Sequence, residues 1–167
     1  IEDNNNPDDY DLVLRTEAFR SGIREVIDCI HGNNTIAPRP GRAHGTYLTD
    51  VSRWTAGYIT GREIMPEEID STDLFHPELT SFSGFQFSIS DATASEVFIT
   101  QMLDEVVSYE NDQYNVRRPV SISSWPTLDP LSHPVDPDED KASFDICKIQ
   151  GKTGHAGIFA CYHAYPY

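Results

Sequence analysis

Two hydrophobic periods alternate along the chain. Phe19, Ile23, Val26, Ile27 and Ile30 recur three or four positions apart or side by side, which is one face of a helix. Gly32 and the Asn pair behind it stop that pattern, because both residue types accept the left-handed conformation of a helix end. The spacing predicts a helix over Thr16–His31. A second stripe, Val97, Ile99, Met102, Leu103 and Val106, follows Thr93-Ala-Ser-Glu96. That tetrad is a capping box, in which hydroxyl and carboxylate each satisfy the other residue's terminal amide. It predicts a helix over Thr93–Asn111.

Strand periodicity appears elsewhere. Val51–Glu63 becomes strand-like from Trp54, with Thr55, Gly57, Ile59, Gly61 and Glu63 on one face. Trp54, Ala56, Tyr58 and Thr60 occupy the other, so a crowded interior is expected on the small-residue side. Val120 and Ile122 alternate with Ser121 and Ser123 in a strand expected over Arg118–Trp125. Gly157–His163 is dense in apolar residues, as buried parallel strands are. Ala142–Ile149 is a shorter strand expectation. Residues 1–15 form a linker or loop rich in Asn and Asp. Pro and Gly make 34–50 a structured loop, Met65–Ser90 is expected as a long loop, and Pro126–Asp140 is a Pro/Asp loop. Strands separated by helices of this length point to an α/β protein with a parallel sheet.

Composition narrows the function classes. The 167 residues carry 27 acidic and 12 basic side chains, a net charge of -15. Nucleic-acid backbones and anionic membranes need the opposite sign, so neither is an expected partner. No apolar run reaches the roughly 20 residues that span a bilayer, and the polar Ile1–Asp9 does not resemble a signal peptide. The chain lacks an initiator Met and stops directly after an apolar strand, so it is expected to be a fragment of a longer protein. Cys29, Cys147 and Cys161 form no CxxC pair, and the six His show no ligand spacing, so no metal or other cofactor is expected. Asp136, Asp138 and Asp140 lack the Gly and closing Glu of a calcium loop. No phosphate-binding Gly motif or GxSxG elbow is present.

Chemistry-bearing residues gather at three expected strand ends. The first ends in Arg62-Glu63, the second in Trp125 with Asp129 beyond it, and the third in Tyr162-His163 with Tyr165 beyond it. In parallel α/β folds ligands bind at the carboxyl ends of strands. Aromatic faces there stack on sugar rings, and a carboxylic acid protonates a glycosidic oxygen.

The segments WTAGYITGREI, RPVSISSWPTLDPLSHP and GIFACYHAYPY resemble consecutive parts of retaining clan A glycoside hydrolases, specifically cellulase-like domains of large bacterial proteins. The resemblance implies that residues 16–167 are the middle of a (β/α)8 TIM barrel with parallel strands. It implies Glu63 as acid/base, with Arg62 standing where that family has Asn. It further implies that Arg62, Trp125, Asp129, Tyr162, His163 and Tyr165 line the substrate site, with the nucleophile beyond Tyr167. The expected activity is hydrolysis of a β-linked polysaccharide or oligosaccharide by an extracellular or cell-envelope protein, with this fragment inactive alone. Alternatives are a non-catalytic carbohydrate-binding domain and a structural module. An incomplete barrel also leaves open sheet edges through which copies can associate.

Overall fold

The computed structural model describes residues 10–126, 128, 134, 142 and 144–161. In chain order the elements are α1 (Thr16–Ile30), β1 (Asn34–Ile36), β2 (Gly45–Tyr47), β3 (Tyr58–Ile64), α2 (Pro66–Phe75), β4 (Phe82–Ser83), β5 (Phe87–Ile89), α3 (Ala94–Tyr114), β6 (Val120–Ser124) and β7 (Gln150–Gly151). The strands form three separate sheets: a β1–β2 hairpin, a parallel β3–β6 pair, and an antiparallel β4–β5–β7 sheet.

The TIM-barrel expectation is therefore wrong for the described residues. A barrel of that kind is eight parallel strands closed on themselves. Here β3 and β6 are the parallel pair, Ile158 extends it through a single parallel bridge to Val120, and the remaining sheets are antiparallel. The expected strand over Gly157–His163 is represented by that bridge. Val120 N–H donates to Gly157 O and Phe159 N–H to Val120 O, both at 3.1 Å.

The two expected helices form where the periodicity puts them. Gly32, at φ 68°, follows α1, and a side chain there would collide with the backbone of Leu48, Thr49 and Asp50. Thr93 caps α3, and the Glu96 carboxylate accepts from Thr93 N–H at 2.9 Å. Thirteen residues of α3 are buried, which makes it the spine of the molecule. Phe98, Ile99, Met102, Leu103, Val106 and Val107 form the main core with Tyr58, Ile64, Val120 and Ile122 from the parallel strands.

Four local expectations fail, the first being the loop expected over 34–50, which contains the β1–β2 hairpin. The long loop over Met65–Ser90 contains α2, whose start has Pro66 at its first position and the Glu68 carboxylate accepting from Met65 N–H at 2.9 Å. The burial of Ile69 and Thr72 then fixes one helix face. The rest of that segment supplies β4 and β5. Ala142–Ile149 yields a short 3-10 turn at Ile146–Lys148 instead of a strand, with Asp145 accepting from Cys147 N–H at 2.9 Å. The interior of β3 is reversed: Tyr58 and Thr60 are buried, while Ile59 and Gly61 are exposed. The bulky phase wins because α3 needs apolar area opposite it. Gly61, at φ 73°, then makes a bulge between Thr60 and Ile64, which returns Ile64 to the core.

Candidate functional site

The parallel register of β3 and β6 brings two of the expected strand ends together. Ile64 lies opposite Ser124, and Trp125 N–H donates to Ile64 O at 3.0 Å. Glu63, half-buried, immediately precedes Ile64. Trp125 immediately follows Ser124, half-buried, and packs on the main core. Leu128 N–H donates to Trp125 O at 3.1 Å, so the chain turns tightly beyond the strand. A carboxylic acid and an indole thus stand on neighbouring carboxyl ends. Trp125 is partly exposed while it packs on the core.

The side chains of the remaining expected site residues lie outside what the structure describes. Arg62 lies on β3, but its side chain is outside the described residues, as are the whole of Asp129, Tyr162, His163 and Tyr165. The nearest acids along the chain belong to α2. Glu67 is exposed, whereas Glu68 is buried and accepts from Arg15 at 2.9 Å as well as from Met65 N–H. That Glu68 carboxylate is committed to holding α1 and the start of α2 together.

A groove of about 640 Å³ runs along β3 beside α1, lined by Phe19, Ile23, Val26 and Ile59, with Arg42 also on its wall and the Arg15–Glu68 pair toward its α2 end. Among the described residues no group of three or more His, Cys, Asp or Glu side chains is placed to hold a metal ion. No described helix is long and apolar enough to cross a membrane.

A dense polar cluster lies at the opposite, amino ends of the same strands. Glu110 on α3 is fully buried. One of its oxygens accepts from Tyr58 Oη at 2.6 Å, stands 3.0 Å from His31 Nε2, and accepts from Arg118. The other oxygen has no hydrogen-bond partner among the described residues. Arg118 also donates to Thr55 O at 2.9 Å and Ser52 O at 2.8 Å, fixing the approach to β3. His31 stacks on Tyr114, ring centroids 3.7 Å apart and nearly parallel. Tyr114 and Tyr109 both donate to Asp28 on α1, at 2.6 Å and about 2.9 Å. Burial first, then the bond to Glu110, pushes the Tyr58 phenol well above its ordinary range. Burial and Asp28 push Tyr109 up to about 12.

None of this cluster was singled out as candidate chemistry from the sequence. A signal existed for Glu110, which continues the Leu103, Val106, Val107 stripe of α3 where an apolar residue is expected. Its partners His31, Tyr58 and Arg118 come from three distant segments and share no spacing rule with it.

No protein-family model matches this chain, and no curated protein or solved structure matches it.

Proposed function

We propose that this chain carries the acid/base half of a glycosidase-like site acting on a β-linked polysaccharide or oligosaccharide. The observation that supports this most is the placement of Glu63 and Trp125 on adjacent carboxyl ends of parallel strands. Trp125 offers an apolar ring for a sugar face. Glu63 protonates the leaving glycosidic oxygen, then draws the proton from the water that releases the sugar. The proton count closes, since the acid lost in the first step is restored in the second. A retaining mechanism needs a second carboxylate about 5 Å away as nucleophile. In this reading that group comes from outside the described residues.

The test uses the protein with aryl β-glycosides and soluble β-glucan oligosaccharides. Glu63→Gln removes turnover and leaves oligosaccharide binding in place, whereas Trp125→Ala weakens binding. Turnover unchanged by Glu63→Gln overturns the assignment.

A second reading, a carbohydrate-binding protein without hydrolysis, is favoured by the commitment of Glu68 to Arg15 and Met65, which removes the buried acid of α2 as a partner for Glu63. It predicts oligosaccharide binding that depends on Trp125, with no turnover in the unaltered protein.

A further inference from the structure

The β3 edge that faces away from β6 has no strand partner among the described residues. Tyr58 N–H donates to Pro119 O at 3.0 Å, so the Tyr58 peptide groups face β6. Successive residues of a strand turn these groups to opposite edges, so the N–H and C=O of Ile59 face the groove. The groove wall is apolar but only partly covered. Ile59 is 54% exposed and Val26 is 52% exposed. On α1 only Ile27 is buried, although Phe19, Ile23, Val26, Ile27 and Ile30 form one apolar face. A strand edge whose backbone groups have no partner among the described residues, beside an apolar wall, is a template for another strand.

Charge indicates what sort of strand. The chain as a whole carries -15, which disfavours a second copy as occupant. The groove itself is lined by two arginines and one carboxylate, and that carboxylate, Glu68, is already paired with Arg15. Arg42, exposed, makes no ion pair among the described residues. We propose that the groove between α1 and β3 binds an extended peptide of another protein by strand addition to Ile59. The peptide's apolar side chains alternate against Val26 and Ile23, and an acidic side chain meets Arg42. This inference is independent of the carbohydrate reading, because none of its residues is Glu63 or Trp125.

The probe is a displayed library of random octapeptides selected on the full chain. Enriched sequences are expected to alternate apolar residues and to carry an Asp or Glu. A synthetic representative should lose at least about tenfold in affinity with Val26→Asp, which fills the wall with charge, and with Ile59→Pro, which removes the outward N–H. Arg42→Glu should weaken binding and reverse its salt dependence. If Ile59→Pro fails to fold, Val26→Asp, at an exposed position, carries the test alone. No enrichment over an unrelated bait, or binding that Val26→Asp leaves intact, overturns the proposal. A concentration-dependent dimer of the unaltered chain that Val26→Asp dissociates also overturns it, by showing that a second copy occupies the groove.

Discussion

The two ends of the β3–β6 pair are built on opposite principles. At the amino ends Glu110 is fully buried and gathers Tyr58, His31 and Arg118, and Arg118 in turn holds the backbone at Ser52 and Thr55. At the carboxyl ends Glu63 and Trp125 are half-buried, and α2 starts directly behind β3. A charge taken out of water must be compensated by partners, so the buried end is a lock whose parts depend on one another. A half-buried acid keeps contact with water and with whatever enters. The density of charged partners at the amino ends therefore marks structural need.

The comparison is broken most forcefully at Glu110. Glu110→Ala leaves the Arg118 guanidinium in a buried site without its carboxylate, and is expected to cost about 3–5 kcal/mol in urea unfolding. A loss below about 1 kcal/mol would mean that water reaches the cluster and that the lock is illusory.

Asp104 gives the next largest effect. Its carboxylate accepts from the N–H groups of Phe85, Gln86 and Phe87 at 2.8, 2.6 and 2.8 Å, holding the turn into β5 against α3. Asp104→Ala strands three donors and should cost about 3 kcal/mol by the same measurement.

Alkaline pH separates the lock from the rest of the surface. Tyr58 and Tyr109 bond to carboxylates as neutral phenols, and both titrate above the ordinary value of about 10. A folded-state pKa raised above the unfolded one adds stability below the unfolded value. That stability is lost as pH rises through the folded value. Unfolding free energy should therefore fall from about pH 10 upward, through the Tyr109 value near 12 and beyond. Tyr109→Phe should flatten part of this limb in a denaturant series across pH.

The smaller effects sharpen the contrast. Thr93→Ala removes one half of the α3 capping box and should cost about 1 kcal/mol. Glu63→Gln should change stability by less than about 1 kcal/mol while removing the activity proposed for it, which is the signature of a group retained for chemistry. A large loss of stability on Glu63→Gln would place Glu63 with Glu110 instead, among groups that hold the fold.

Much of the local structure was legible in the residues. The i, i+3, i+4 stripes gave α1 and α3, and Thr93 with Glu96 gave the start of α3, because capping and periodicity are properties of neighbouring residues. The parallel strands at Tyr58–Ile64 and Val120–Ser124 were legible for the same reason. The carboxyl-end positions of Glu63 and Trp125 follow from the same two strands, whose register sets Ile64 opposite Ser124. Helix α2 was missed because Pro66 and Glu68 sit among residues with little apolar periodicity, although Pro at the first helical position and Glu at the third are a local start signal.

What the sequence by itself determined is helices α1 and α3, the strands β3 and β6, the acidic balance and the carboxyl-end placement of Glu63 and Trp125. Only the tertiary structure decided that β3 turns its bulky face inward, that β4, β5 and β7 form a sheet of their own, and that Glu110, His31, Tyr58 and Arg118 meet. Those outcomes depend on which surfaces bury each other. Burial is a property of pairs of segments far apart in the chain, so no window of neighbouring residues contains it.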